Sequence, residues 1–201
     1  MTPSCAPSLN GKVWQVPERA ATCDSLEALC AVLERRYLVD QNHPLHAAEG
    51  LLHVERAALR IAHAMERNEQ VLLLGDYDVD GLCGATILHE TMCERWPDRA
   101  NRVHVFIPDR FRDGYGLQTS LVESIVKGGI TLVITIDNGI SANGAIDQLL
   151  QRGVQTVVLD HHLPPAQLPP AFAIVNPNQT TCDYPSKRSA AQGLHGRWPK
   201  C

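Results

Sequence analysis

Acidic residues and histidines directly follow three apolar segments of this chain, at residues 71–74, 132–136 and 154–159. A single Asp after an apolar segment is usually a turn former or a helix cap. Five carboxylates brought to one place would repel each other strongly, so a bound cation is their natural counterpart. The residues concerned are Asp76, Asp78, Asp80, Asp137, Asp160, His161 and His162.

The elements that would position these groups alternate between strand and helix. Uninterrupted apolar runs predict strands at residues 71–74, 103–107, 132–136 and 154–159. Helical spacing of apolar residues predicts helices at residues 24–38, 47–68, 82–96, 119–126 and 142–152. We therefore predict an α/β fold, with a parallel sheet covered by helices on both faces and preceded by an N-terminal helical segment. Ligands of such folds bind beyond the carboxyl ends of the strands, where these acidic residues and histidines would meet.

The donor types favour a divalent metal centre. If the segment stays extended, Asp76, Asp78 and Asp80 point the same way, and Gly75 and Gly81 permit tight turns around them. Carboxylates mixed with imidazole suit Mn²⁺, with Mg²⁺ as the alternative. Five candidate ligands exceed what one catalytic ion requires, namely Asp76, Asp78, Asp80, Asp137 and His161. This number favours two divalent cations about 3.5–4 Å apart that share one carboxylate. The hypothesis is metal-assisted hydrolysis of a phosphoester or phosphoanhydride.

Three other interpretations explain the pattern less well. The stretch begins like an EF-hand loop, but Ile87 stands where that loop needs a glutamate. A phosphatase of the haloacid dehalogenase type, with Asp76 as nucleophile, would leave Asp80, Asp160 and the two histidines without a role. Ordinary loop histidines would not be expected directly after both an apolar strand and an aspartate.

Three motifs of the chain resemble motifs I to III of the DHH phosphoesterase superfamily. They are GDYDVDG at 75–81, TIDNGIS at 135–141 and LDHHLPP at 159–165. Three further segments narrow the resemblance to the RecJ-type exonucleases specific for single-stranded DNA. They are IPDRFRDGYGL at 107–117, IVNPN at 174–178 and CDYPSK at 182–187. The resemblance implies a DHH-type Rossmann-like lobe that hydrolyses single-stranded DNA from its 5′ end in repair and recombination.

The resemblance also implies a role for each matching residue. Asp137 would bridge the two cations, and His162 would lie next to the scissile phosphate as hydrogen-bond donor or general acid. Asp160 would orient a histidine, as carboxylates commonly do beside metal-bound imidazoles. The implied metal ligands are Asp76, Asp78, Asp80, Asp137 and His161.

The segment after the second predicted strand carries two arginines and a tyrosine. Arg110, Arg112 and Tyr115 could contact phosphates and stack on a base. In the alternative interpretation, this is a solvated loop whose arginines pair with Asp109 and Asp113.

Composition excludes several classes of protein. The chain has 201 residues, of which 44% are hydrophobic and 20% charged, which is typical of a globular protein. No apolar run approaches the roughly 20 residues of a membrane helix, and the N-terminus has no secretory pattern. Seven cysteines without CxxC spacing predict a reduced, cytoplasmic setting. The net charge of −4 offers no general attraction to DNA, so binding of single-stranded DNA by this lobe alone should be weak.

The chain divides into four predicted segments. Residues 1–20 form an arm, residues 21–69 a helical lead-in packed on the core, and residues 70–187 a DHH domain with motifs I–III only. Residues 188–201 do not resemble the family, and a shift of reading frame near Lys187 is a hypothesis for their origin. RecJ-type proteins continue with a fourth-motif Asp and a second lobe, so we expect little or no nuclease activity from this chain alone.

Two other functions remain open at this point. One is a DHH phosphoesterase acting on short oligonucleotides, cyclic dinucleotides or pyrophosphate. The other is a non-catalytic remnant or binding lobe. The sequence indicates no particular protein partner.

Overall fold

The computed structural model describes residues 47–187. The predicted arm, the predicted helix at 24–38 and the segment 188–201 lie outside this range, and the proposed segment boundaries stay predictions. Two short 3₁₀ helices occur at Ala48–Gly50 and Pro97–Arg102. The helices are α1 (Val54–Glu66), α2 (Val79–Arg95), α3 (Thr119–Lys127) and α4 (Asn143–Gln151). The strands are β1 (Val71–Gly75), β2 (Val103–Phe106), β3 (Leu132–Ile136), β4 (Gln155–Leu159) and β5 (Ala173–Val175).

The five strands form one sheet in the order β2-β1-β3-β4-β5, and every pair is parallel. This confirms the predicted α/β architecture. The sequence interpretation missed β5, which has only three residues and follows a proline-containing loop. β5 pairs with β4 and places Val175 beside Leu159.

Helices cover both faces of the sheet, as predicted. Side chains of a strand alternate between its two faces, so the uninterrupted apolar runs supply both cores. Val71 and Leu73 of β1 pack in one core with residues of α1 and α2. Leu72 and Leu74 pack in the other with residues of α3 and α4. Burying each of these leucines stabilises the fold by about 1.5–3 kcal/mol.

The strand order places a crevice between β1 and β3. The helix after β1, α2, packs on one face of the sheet, while the helix after β3, α4, packs on the other. The two connections therefore diverge at the carboxyl ends of β1 and β3. Such a divergence opens a cleft where ligands of parallel α/β folds bind.

The opposite, amino edge of the sheet is closed by paired polar groups. Arg60 of α1 lies 2.6 Å from Glu69, which precedes β1. Glu69 also accepts a hydrogen bond from Thr131 at 2.9 Å, and Arg60 donates to Gln155 at the start of β4. These contacts tie α1 to the segments that lead into β1 and β3 and to the first residue of β4.

No helix within residues 47–187 is long and apolar enough to cross a membrane.

Candidate metal centre

Three buried carboxylates lie at the carboxyl edge of the sheet. Asp76 directly follows β1, Asp137 follows β3 and Asp160 follows β4, as the sequence predicts. They are 3%, 1% and 3% exposed. Because aspartate is rarely buried without a compensating partner, each needs a specific explanation.

Asp137 adopts a backbone conformation that non-glycine residues rarely use, with φ at 63°. Such strain costs on the order of 1–3 kcal/mol and persists only where the surroundings enforce it. The surroundings are specific here: Asp137 N–H donates to Leu159 at 2.8 Å, and the hydroxyl of Tyr115 donates to the Asp137 carbonyl at 3.1 Å. The next residue, Asn138, donates to the carbonyls of Leu74 and Ile136. These bonds fix Asp137 over the junction of β1, β3 and β4.

Two groups of potential ligands overlap at Asp137. Within each group, one ligand atom of every member lies within 4.8 Å of those of the other members. The first group is Asp76, Asp78 and Asp137, and the second is Asp137, His161 and His162. Asp137 Oδ1 is fully buried and accepts no hydrogen bond of ordinary geometry from the described residues, although His161 Nε2 lies 2.9 Å away. These donors fit divalent cations of the Mn²⁺ or Mg²⁺ type, which bind carboxylates and, for Mn²⁺, imidazole.

The electrostatics of the first group also favour a cation. Burial, followed by the negative charge of Asp78, raises the pKa of Asp137 to about 6. Burial likewise raises the pKa of Asp76, although the N–H of Tyr77 donates to its carboxylate. Ionising these buried, crowded carboxylates costs free energy that a divalent cation would offset.

The expected extended row of aspartates is wrong. Asp78 is instead the N-cap of α2, where its Oδ1 accepts from the N–H groups of Asp80 and Gly81 at 2.9 and 3.1 Å. These bonds hold the pKa of Asp78 below its usual value. Asp80 lies in the first helical turn and belongs to neither ligand group within residues 47–187. Its role as a ligand stays a prediction.

The two flanking glycines act through size rather than through turn geometry. Neither Gly75 nor Gly81 has a positive φ, contrary to the role expected for them. A Cβ on Gly81 would lie 2.5 Å from the backbone nitrogen of Asp76, and one on Gly75 would lie 2.7 Å from Ile107. Their missing side chains let the first turn of α2 pack directly against the end of β1.

Asp160 organises the two histidines. Its Oδ1 accepts from the N–H groups of His161 and His162 and lies 2.7 Å from His162 Nδ1. Its Oδ2 accepts from the N–H of Ile140 at 3.0 Å. Burial opposes protonation of His162, but the hydrogen bond and the charge of Asp160 raise the pKa of His162 above its usual value.

The two arginines of the loop after β2 have different surroundings. The Arg110 guanidinium lies 5.5 Å from the centre of the Tyr77 ring, and that ring contacts Tyr115 edge to face at 6.2 Å. Tyr115 makes a similar contact with His162. Arg112 instead lies 3.7 Å from Asp109 and is largely exposed, as the solvated-loop interpretation expects.

Sequence reasoning missed three residues of this region. Tyr77 stands between two predicted ligands but was assigned no role. Asn176 and Asn178 lie in a segment that was noted for its resemblance only, yet they bind the carbonyls of His162 and His161. The aromatic type of Tyr77 and the Asn-Pro-Asn pattern were the available signals.

An open cleft of about 600 Å³ runs from the carboxylates to the N-termini of α3 and α4. Its walls include Asp76, Asp78, Asp160, His162 and Tyr115.

Residues 70–195 match the model of the DHH family, N-terminal domain. This chain belongs to the DHH family. Its relatives include the single-stranded-DNA-specific exonuclease RecJ of Dickeya dadantii (strain 3937), 36% identical over 178 residues, which are 85% of this chain and 30% of that protein. RecJ of Escherichia coli (strain K12) is 35% identical over 70% of this chain and 24% of its own length. This chain thus spans less than a third of the length of these relatives.

Solved structures agree with the family assignment. Exonuclease RecJ bound to manganese matches with a TM-score of 0.63 and 31% identity, over 75% of this chain and 37% of that one. RecJ of Thermus thermophilus in complex with Mn²⁺ matches with a TM-score of 0.61 and 29% identity, over 76% of this chain and 21% of that one. The predicted family and the predicted RecJ resemblance are confirmed.

Proposed function

We propose that this cleft hydrolyses phosphodiester bonds of single-stranded DNA from the 5′ end, using two divalent cations. The observation that carries the proposal is the pair of ligand groups that share Asp137. Relatives that match the same region are named as exonucleases specific for single-stranded DNA, and two matching structures hold manganese. We place the activity in DNA repair and recombination, in the cytoplasm.

Asp76, Asp78 and Asp137 would hold one cation, and Asp137 and His161 the other. Mn²⁺ is the favoured ion because imidazole contributes, and Mg²⁺ is the alternative. When bound, such a pair lowers the pKa of a coordinated water and stabilises charge on phosphoryl oxygens. The strained backbone of Asp137 places its carboxylate where both ligand groups meet.

His162 would act on the DNA itself. Asp160 holds its Nδ1, and the half-exposed ring lines the cleft. The bond to Asp160 fixes the ring so that its other nitrogen can donate to a phosphoryl or leaving oxygen. This is the general-acid or hydrogen-bonding role that the family resemblance implies.

Arg110 and Tyr115 would bind the strand next to the reacting phosphate. A guanidinium on an aromatic ring can pair with phosphate, while exposed ring faces can stack on bases. Tyr115 is 44% exposed and lines the cleft. Tyr77 joins this group because it connects Arg110 to Tyr115.

A 5′-phosphorylated dinucleotide tests the proposal with the full 201-residue chain. Its single scissile phosphate requires few contacts outside the cleft. Because this chain alone should have little activity, the assay uses excess chain under single-turnover conditions. We expect slow Mn²⁺-dependent release of mononucleotide, and loss of both release and Mn²⁺ binding in Asp137→Asn. Arg152→Ala, which changes an exposed residue directly after α4, is the control.

Two results would contradict the proposal. One is the absence of Mn²⁺ binding by the wild-type chain. The other is cleavage of pyrophosphate or a cyclic dinucleotide in preference to the linear dinucleotide, which would favour the other phosphoesterase function.

A further inference from the structure

Side chains bind all four main-chain polar groups of His161 and His162. Asp160 Oδ1 accepts hydrogen bonds from both N–H groups, at 2.7 and 3.0 Å. The side-chain amide of Asn176 donates to the His162 carbonyl at 2.9 Å, and that of Asn178 donates to the His161 carbonyl. The peptide planes of the two histidines are therefore held from both sides.

The two asparagines are themselves fixed. Asn176 is fully buried directly after β5, and its Oδ1 accepts from the N–H of Asn178 at 2.7 Å. Its carbonyl accepts from the buried Gln179 side chain at 3.2 Å. The N–H of Asp160 donates to Val175 at 3.1 Å, which aligns the histidine loop with β5. A side chain with little rotational freedom can orient its partner without a further entropic cost.

Lys187 belongs to the same network of hydrogen bonds. The Lys187 ammonium donates to the carbonyls of Pro177 and Cys182, and the Lys187 carbonyl accepts from Asn178 at 3.1 Å. Asn178 thus joins the His161 carbonyl to residue 187. The segment 176–187 is therefore hydrogen-bonded to the histidine loop through Asn176 and Asn178.

We propose that Asn176 and Asn178 are positioning residues that set the orientation of the two histidines through their carbonyls. Displacement of this loop would move both rings away from Asp137 and Asp160. The amides oppose that displacement because they bind the two main-chain carbonyls, whereas Asp160 binds the two main-chain N–H groups. The part that concerns metal affinity rests on the proposed function.

Asn178→Ala is the main test because Asn178 is only partly buried, so the variant should fold. Residues that orient metal ligands typically change metal affinity 10–100-fold when they are removed. We expect Asn178→Ala to weaken by about tenfold the Mn²⁺ binding event that His161→Ala abolishes. Electron paramagnetic resonance of unbound Mn²⁺, measured on the full chain, gives the affinity.

A second variant and a matched control separate positioning from general stability. Asn178→Asp keeps the size of the side chain but places an oxygen against the His161 carbonyl, so it should also disorder the loop. Val133→Ala removes a buried methyl pair of β3 from the core on the α3 and α4 side. It should lower the melting temperature but leave the Mn²⁺ affinity unchanged.

A metal-free measurement keeps this proposal separate from the proposed function. Nitrogen NMR at alkaline pH, where the imidazole rings are neutral, should show a single tautomer of His162 in the wild-type chain and averaged signals in Asn178→Ala. If the wild-type chain binds no Mn²⁺, the proposed function fails while the NMR comparison still decides the positioning role. Unchanged ring spectra in both Asn178 variants, or equal loss of Mn²⁺ affinity in Val133→Ala, would overturn it.

Discussion

Buried charge is compensated differently at the two edges of this sheet. At the amino edge, Glu69 lies 2.6 Å from Arg60, and hydrogen bonds from Arg60 and Thr131 outweigh burial and lower the pKa of Glu69. At the carboxyl edge, Asp76 and Asp137 crowd together and their pKa values are raised. The charge at the amino edge is neutralised within the chain, whereas the carboxyl edge keeps crowded carboxylates whose repulsion a bound cation would relieve.

The largest expected effect comes from removing the shared carboxylate. Asp137→Asn tolerates the left-handed backbone but removes one charge. Losing several kcal/mol of transition-state stabilisation should lower the single-turnover rate on the dinucleotide about 1000-fold. The same change should raise the metal-free melting temperature because it relieves repulsion with Asp78. A lowered metal-free melting temperature would show that the carboxyl edge is not strained by charge.

Cation binding at the carboxyl edge should raise the melting temperature of the chain. A ligand present at 100 times its dissociation constant stabilises a folded protein by about 2.7 kcal/mol. We therefore expect Mn²⁺ to raise the melting temperature by about 5–10 °C for a chain of this size. Calorimetry with and without Mn²⁺ checks this, with Asp137→Asn as the variant that should not respond. A Glu69→Gln chain should respond like the wild type.

The stability that the amino edge contributes should depend on pH. Glu69→Gln removes a charged hydrogen-bond acceptor and should lower the free energy of unfolding by about 2 kcal/mol at pH 7. The folded-state pKa of Glu69 is lowered, so its stabilisation is complete above the unfolded pKa and is lost as the pH falls through the folded pKa. Urea denaturation of both chains across acidic pH measures this. A difference that stays constant down to low pH would exclude the ion pair as its source.

The smallest effects should distinguish the two loop arginines. Arg110→Ala should weaken binding of single-stranded DNA about fivefold, which corresponds to about 1 kcal/mol. Arg112→Ala should change it little because Arg112 is exposed and pairs with Asp109. Fluorescence anisotropy with a 5′-labelled oligonucleotide, at one salt concentration, compares them. Equal losses would assign both arginines to general electrostatic attraction.

Much of the fold follows from the spacing of apolar residues. The apolar runs of β1, β3 and β4 are unmistakable because both faces of these strands are buried. Because the carboxyl ends of parallel strands meet, the proximity of Asp76, Asp137 and Asp160 could be predicted without coordinates. β5 could not, since a three-residue strand next to prolines has too little pattern.

The finer geometry of the site depends on contacts that spacing does not reveal. The row of alternating aspartates was expected to be extended, but α2 begins at Val79 because Asp78 can cap it and Gly81 can pack on Asp76. The bonds of Asn176 and Asn178 join residues 14 and 17 positions apart, so no local pattern predicts them. The identity of such partners becomes visible only when the strands are assembled.

The close packing at Gly81 predicts the phenotype of a mutation in its codon. A single-base change that adds even one methyl group there would push against the Asp76 backbone, which lies 2.5 Å from the added atom. Gly81 itself lies outside the apolar cores on the two faces of the sheet. We expect such an allele to encode a chain that still folds but holds its Asp76–Asp78 pair out of place, so screens for abundance would overlook it and screens for Mn²⁺ binding would recover it.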